Sequence, residues 1–495
     1  MLFLLAIFCG ILIEGRIKFF LQMAQQIGYI PKEYLHWIFK NKERAFGFFK
    51  KNDDIVPLVM TDRAKRLYIT CLIIPFVFLL IPVLIYAFLP YDILYLVLFA
   101  LILIFEACAI YWNFSFIMFL ALIFNSPIEK RINMGFYNAA RDKIKNLKSN
   151  KLKVISITGS YGKTSTKTIL YNILKTKFRV FASPESYNTP MGLSKIINND
   201  LDETYDIFVA ELGARYVGEI LEVAELTSPD YGVITNIGPC HLETFKSLDN
   251  IVNTKFELSQ IPGIKMFLNI DNDNINKENI KRNLNSITVS SKFSEADYKA
   301  EVVKVDDSGT EFVLSYKNNK FLFNTSLIGS HNITNICLAI AISFDFGMTY
   351  DEIKSAVASL PQIEHRLSIS KNDAGVTIID DGFNSNPYGA RAALEVLSLF
   401  SGGKKIVITP GMVELGNIQY EENYEFGKLI GNTADISVIV GSINKDSLIK
   451  GINSSENKNH INYYANTLKE ATQLFPEFLK PGDVMLFEND LTDVY

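Results

Sequence analysis

From Tyr68 to Leu89 the chain reads YITCLIIPFVFLLIPVLIYAFL, about 22 residues without a charge. A helix of that length crosses a bilayer core roughly 30 Å thick, so part of the chain belongs in lipid. Residues 93–124 form a second long apolar stretch, broken only by Glu106 and Asn113, and Pro90, Tyr91 and Asp92 between the two read as a turn. Residues 68–124 therefore read as a transmembrane hairpin. Residues 1–13, MLFLLAIFCGILI, are apolar too, though of marginal length. No cationic leader precedes them and Glu14, Gly15 and Arg16 follow where a cleavage motif would need small residues, so a short anchor fits better than a signal peptide. The expected spans are thus about 1–13, 68–89 and 93–124.

Orientation follows from the basic flanks. Arg63, Lys65 and Arg66 precede the hairpin; Lys130, Arg131, Arg141, Lys143 and Lys145 follow it. Both flanks belong on the cytoplasmic side, which makes a multi-pass membrane protein with a large cytoplasmic remainder. Glu106 reads either as an intramembrane functional site or as the partner of a neighbouring helix.

A chain of 495 residues is too long for one core, so two or more domains follow. The net charge of −4 supports no nucleic-acid surface. Cys9, Cys71, Cys108, Cys240 and Cys337 have neither metal nor disulfide-framework spacing and read as buried, reduced thiols. From Lys151 onward the pattern changes. KVISITG, DIFVAEL, YGVITNI and KMFLNID alternate with helical segments, the mark of an α/β fold with a parallel sheet. Residues 296–328 alternate as antiparallel strands with turns at DDSG and KNNK. The α/β alternation resumes after residue 362 with GVTIIDD, KKIVITPG and ISVIVG. The division is a membrane region and connector over 1–150, a central domain over 151–362 and a C-terminal domain over 363–495.

The segment ISITGSYGKTSTKTIL, residues 155–170, reads as strand, phosphate-gripping turn and helix. Gly159, Ser160, Gly162, Lys163, Thr164 and Ser165 supply the turn. Glycines let backbone N–H groups meet phosphate oxygens, and the helix adds its positive end. Lys163 would neutralise β/γ phosphates and the Thr164 hydroxyl would ligate Mg²⁺. The loop is shorter than the general phosphate-loop pattern, because position 157 is Ile.

Several later segments fall into a known order: ELGARYVGEI (211–220), TNIGPCHLETFKS (235–247), NTKFEL (253–258), LNIDND (268–273), GSHNITN (329–335), HRL (365–367), DDGFNSNP (380–387) and GMVELG (411–416). Together with TGSYGKTS they make the chain resemble the Mur ligases, ATP-dependent amide-forming enzymes of cell-wall peptide synthesis. It is most similar to the MurF branch, which adds D-alanyl-D-alanine. The resemblance implies a Mur-ligase-like central P-loop ATPase domain and a Rossmann-like C-terminal domain, here behind transmembrane helices in place of a UDP-sugar-binding domain. It implies ATP and two Mg²⁺ ions as cofactors. Glu211 and His241, both after strand ends, would hold metal with Thr164, and Lys255 would carry a carbamate made from CO₂. Asn269, Asp271, His331, Asn332 and Asn335 would line an adenine pocket. Arg366, Asp381 and Asn384 would reach the nucleotide from the C-terminal domain, and Asn188 and Asn386 would meet substrate. Read alone, His241 is a loop residue, Lys255 a solvated lysine and NSNP an Asx-type turn.

The implied chemistry is activation of a carboxylate as an acyl phosphate, attacked by an amine to give ADP, phosphate and an amide. The carboxylate partner is a cell-wall precursor, UDP- or lipid-linked, and the amine an amino acid or dipeptide. Two departures bear on this. GMVELG lacks the usual acidic residue before Met, and the C-terminus MLFENDLTDVY lacks the Lys-Gly-Ser of the D-alanyl-D-alanine branch. The competing readings are a ligase of another polymer, such as pseudomurein-type peptide or poly-glutamate, and a membrane-anchored nucleotide-binding scaffold without catalysis.

Overall fold

The computed structural model describes residues 2–47, 57–88, 93–184, 187–383 and 385–489. They divide into two compact units, Met1–Gly135 and Phe136–Leu491. Among the described residues the regular elements of the first unit are helices: Leu2–Gln26, Pro31–Lys40, Lys42–Phe46, Asp62–Tyr86, Ile93–Trp112 and the start of Phe114–Asn150.

Asp62–Tyr86 and Ile93–Trp112 are long and apolar enough to cross a membrane, and only 17% and 6% of their most apolar stretches are buried within the protein. Phe76, Phe88 and Phe105 are largely exposed, so these helices present an apolar surface far larger than a soluble monomer keeps. Helix Asp62–Tyr86 contains Pro75 and Pro82, as membrane-spanning helices tolerate. The second apolar stretch is not one span over 93–124. It breaks at Asn113, whose side-chain amide donates to Ala109 O at 2.9 Å. After the break Phe114, Met118 and Ala121 pack against Ile17, Phe20, Tyr34 and Cys71 in a small core. Arg66 holds the buried Glu129 carboxylate through two bonds of 2.6 and 2.9 Å in the same unit. Residues 2–13 of the expected first span lie in helix Leu2–Gln26, but Met1, the side chains of 2–13 and the turn at 90–92 fall outside the described residues. Cys71 and Cys337 are buried as expected, but Cys240 is only half-buried and Cys108 is exposed, on the apolar surface of Ile93–Trp112.

The boundary expected at residue 150 lies earlier. Residues 136–150 carry Ala140, Ile144 and Leu147 into a core shared with Phe208, Ile220 and Leu226 of the second unit. That unit holds two sheets. The strands of the first are β1 (Lys153–Thr158), β2 (Val180–Ala182), β3 (Ile207–Glu211), β4 (Tyr231–Ile234), β5 (Lys265–Asn269), β6 (Ser286–Ser290), β7 (Tyr298–Asp306), β8 (Gly309–Tyr316) and β9 (Asn319–Thr325). Their order is β2-β3-β1-β4-β5-β6-β7-β8-β9. Neighbours are parallel as far as β7, and β7, β8 and β9 are antiparallel. The expected antiparallel element thus extends the main sheet. Ile155 and Ile157 of β1 point to one face, against Ile169, Leu170 and Ile340, while Val154 points to the other, against Leu193 and Val223. Burying each such side chain contributes roughly 1.5–3 kcal/mol, so β1 is fixed from both sides.

The second sheet comprises β10 (Ser368–Lys371), β11 (Thr377–Asp381), β12 (Lys405–Thr409), β13 (Ile436–Val440), β14 (Ile461–Ala465) and β15 (Val484–Glu488), in the order β10-β11-β15-β12-β13-β14. All pairs but β10–β11 are parallel. In open parallel sheets ligands sit beyond the carboxyl ends of the strands, where the order reverses. In the first sheet that point is the end of β1, flanked by β3 and β4.

Candidate active site

The strand β1 runs directly into the glycine turn. Gly162 precedes helix Lys163–Leu174 with φ +78°, a conformation glycine adopts without strain, and no side chain caps the helix. The first N–H groups of that helix are therefore available to an anion. Gly159 is needed for space, since a Cβ there would stand 2.2 Å from Thr235 Oγ1. Lys163 folds back over the turn and donates to Gly159 O at 3.0 Å. Ser165 is buried in the first turn. Ser160 Oγ donates to Gly238 O at 3.0 Å, and Ser160 N donates to Asn236 O at 2.6 Å.

Glu211, the last residue of β3, is the centre of the cluster. Its Oε2 accepts from Thr164 Oγ1 at 3.0 Å and lies 3.0 Å from Lys167 Nζ, and its Oε1 accepts from Asn188 Nδ2 at 3.2 Å. Burial pushes this carboxyl up, yet the ammonium groups of Lys167 and Lys163 outweigh it and hold the carboxyl below its ordinary range. Burial lowers Lys163, against the pull of Glu211.

Lys255 is 2% exposed in helix Leu248–Phe256, not solvated. Its ammonium has no carboxylate partner among the described residues and stands 5.7 Å from the Phe245 ring centroid. Burial, reinforced by Lys163, pushes it down to about 8. His241 follows β4 with φ +47°, and its Nδ1 meets Glu414 Oε2 from the loop after β12.

Arg366 stands between two left-handed residues, His365 (φ +56°) and Leu367 (φ +53°), so the backbone around it is held in a costly conformation. Its Nη1 donates to Phe383 O at 2.9 Å and its guanidinium covers the Phe383 ring. Burial lowers its pKa; Asp381 and Glu211 oppose that, and Arg366 in turn disfavours the charge on Lys163. Arg366 thus lies near enough to Lys163 and Glu211 for their charges to act on one another. Asp381 ends β11 and accepts from Leu367 N at 3.2 Å; burial pushes its carboxyl up to about 6 against the pull of Arg366.

Other expected contacts are committed elsewhere. Asn269 Nδ2 donates to Thr235 O at 2.9 Å, and Asp271 accepts from the 290–292 turn, including Ser291 N at 2.8 Å. Asn332 Nδ2 donates to Ile328 O at 2.8 Å. These three hold loops and helix starts rather than standing open for adenine. Asn335 instead lies against Gly162, with its buried Oδ1 unpartnered. Asn386 caps helix Pro387–Leu399, accepting from Gly389 N at 2.8 Å, so its oxygen is occupied, as an Asx-type turn would have it. Asn384 and the side chain of His331 lie outside the described residues.

Comparison with known proteins decides what this cleft belongs to. Residues 157–343 match the Mur ligase middle domain and residues 365–488 the Mur ligase glutamate ligase domain. The UDP-N-acetylmuramoyl-tripeptide–D-alanyl-D-alanine ligase of Buchnera aphidicola (subsp. Acyrthosiphon pisum) is 30% identical over 346 residues, 68% of this chain and 74% of that protein. The chain belongs to the Mur ligase family. The enzyme of the same name from Bacillus subtilis is 29% identical over 343 residues, 68% of this chain and 72% of its own. MurF of Thermotoga maritima, solved with ADP, superposes with a TM-score of 0.64 at 26% identity, covering 72% of this chain and 80% of that one. The chain spans 59% to 74% of the length of its curated relatives. As a Mur ligase of the MurF type it is an ATP-dependent, ADP-forming peptide ligase.

The donors at the ligase cleft suit Mg²⁺. That ion binds through one or two carboxylates and completes its shell with water and substrate phosphate. Glu211 and the Thr164 hydroxyl offer oxygen at the mouth of the phosphate turn, and no group of three or more His, Cys, Asp or Glu side chains gathers among the described residues to form an all-protein cage.

Three site residues were not singled out in the sequence. Lys167 lies one helical turn after Lys163 and therefore on its face, a spacing that could have revealed it. Glu414 sits inside the quoted GMVELG without an assigned role. Glu488 ends β15 fully buried, with Thr409 Oγ1 at 3.0 Å and Ser385 Oγ on its other oxygen. Burial pushes its carboxyl up to about 8, against the opposing hydroxyls.

Proposed function

We propose that the chain joins the carboxylate of a cell-wall precursor to the amine of an amino acid or dipeptide, with the catalytic blocks over about 151–362 and 363–495. The observation that carries this is the charge in the cleft. Lys163, Lys167 and Arg366 act on one buried carboxylate, Glu211, and Lys255 adds its charge beside Lys163, leaving an excess of positive charge that suits a polyphosphate. Lys163 and the open helix N-terminus would hold the β/γ phosphates, and Arg366 would neutralise charge that develops as the phosphoryl group moves to the acceptor. Thr164, Glu211 and His241 would hold Mg²⁺, which supplies charge stabilisation at the phosphates. Lys255, buried and poised near neutrality, has the reactivity that carbamate formation with CO₂ requires and would then present an anion for a second metal ion. Asn188, on Glu211, would stand at the acceptor side. No side-chain nucleophile is needed, because phosphate is the leaving group.

The relatives' printed names specify a UDP-N-acetylmuramoyl tripeptide and D-alanyl-D-alanine. Two helices long and apolar enough to cross a membrane favour an acceptor held at the bilayer, so a lipid-linked precursor is the preferred form here, with the ligase on the cytoplasmic side. ADP release by the full chain in detergent, with paired nucleotide-linked and lipid-linked precursors and candidate amines, tests the reading. ADP release that requires both an acceptor and an amine supports it, and equal use of the two precursors removes the lipid preference. Lys163→Ala releasing ADP at the normal rate would show that the site is misassigned.

A further inference from the structure

The loop from Thr235 to His241 is anchored unevenly. At its start Ser160 and Tyr161 of the phosphate turn stitch it down: Ser160 N donates to Asn236 O at 2.6 Å, Gly238 N donates to Ser160 Oγ at 3.1 Å, and the Tyr161 hydroxyl donates to Pro239 O. At its end His241 holds φ +47°, and the side chain is met by Glu414, itself at φ +63°. Glu414 comes from the loop after β12, in the other α/β block. Imidazole Nδ1 meets Glu414 Oε2, and the next residue, Leu242, donates its N–H to Glu414 O at 3.1 Å. Left-handed backbone at a residue other than glycine costs of order 1–3 kcal/mol and persists only where the surroundings hold it. Here two such residues from different blocks hold each other.

The chemistry of the contact fixes the ring. A carboxylate only accepts, so Nδ1 carries the proton, and a neutral ring then keeps its lone pair on Nε2. Nε2 has no hydrogen-bond partner among the described residues.

We infer that Glu414 is a positioning residue: it sets the tautomer and orientation of His241 across the junction of the two α/β blocks, so that His241 is ready to ligate only when the blocks are together. The inference rests on the ligase reading for its purpose, but the geometry stands apart from it. The phosphate turn fixes one end of the 235–241 loop and the second block fixes the other. Apposition of the blocks thereby becomes a condition for assembling the cleft.

The test uses the full chain in detergent with ¹⁵N-labelled histidine, without metal or nucleotide. The signal of His241 is identified by its loss in His241→Asn. The unaltered chain should show the Nδ1–H tautomer and Glu414→Ala the Nε2–H tautomer; Glu414→Gln, whose amide oxygen still accepts, should keep Nδ1–H. In turnover, the Mg²⁺ concentration for half-maximal ADP release should rise about 10- to 100-fold in Glu414→Ala, as loss of an outer-shell partner does, while the KM for ATP moves far less and Glu414→Gln recovers most of the loss. An unchanged tautomer in Glu414→Ala, or a Glu414→Gln variant as impaired as Glu414→Ala, overturns the inference. Should Glu414→Ala fail to fold, the tautomer and Mg²⁺ response of Glu414→Gln decide alone. Failure of the unaltered chain to release ADP would sink the ligase reading instead and leave the tautomer result intact.

Discussion

Lys167 Nζ lies 3.0 Å from Glu211 Oε2, and both side chains are almost wholly removed from solvent, at 5% and 3% exposure. Truncating one partner of such a pair leaves a buried charge uncompensated. Lys167→Met is therefore expected to lower stability by roughly 3–5 kcal/mol, whereas Lys167→Met combined with Glu211→Gln should recover much of that loss. Thermal unfolding of the single and double variants checks this; additive losses would mean that the two groups do not interact.

Lys255 bears on the CO₂ chemistry proposed for it. With its ammonium pushed down to about 8 and no ion pair to it among the described residues, the free amine is accessible near neutral pH. Stripping CO₂ from the assay at pH 7.5 should depress ADP release several-fold, bicarbonate should restore it, and Lys255→Ala should be inactive in either case. A rate indifferent to CO₂ would remove the carbamate.

Glu488 should leave a signature in stability against pH. Its folded pKa of about 8 lies above the ordinary carboxyl value of 4.5. Between those values the native chain holds a proton that the unfolded chain has lost, so stability falls as pH rises through that window, by a few kcal/mol in all. Glu488→Gln has no proton to lose. The gap in Tm between Glu488→Gln and the unaltered chain should shift in favour of the variant from pH 5 to pH 9, and parallel curves would contradict the burial of an acid at this strand end.

The membrane reading is tested by labelling intact cells. Phe88→Cys, beyond the end of the first long apolar helix, should react with a membrane-impermeant maleimide from outside. Ser149→Cys should react only after permeabilisation. The reverse pattern would invert the orientation, and protection of neither residue would argue against a span.

Much of this was legible in the sequence because local chemistry dictates it. β1, the glycine turn and the following helix are set by alternation, by space at Gly159 and by φ at Gly162, and the structure keeps all three. The α/β alternation likewise gives two mostly parallel sheets. What escaped depends on distant partners. Glu414 acquires meaning only when it meets His241, 173 positions earlier. Asn386 carries the same residue type whether it caps a helix or meets substrate, and only the hydrogen bond to Gly389 N distinguishes them. The break at Asn113 was masked because the residues after it remain apolar for a different reason: they pack into a small helical core.

The central claim is that ATP, held between the two α/β blocks, energises a carboxylate so that an amine displaces phosphate. Supplying the acceptor with ¹⁸O in its reacting carboxylate, and weighing the phosphate released, tests it most directly. One ¹⁸O per phosphate released alongside ADP is the expected result. Phosphate free of the label, or label recovered in AMP, would contradict it.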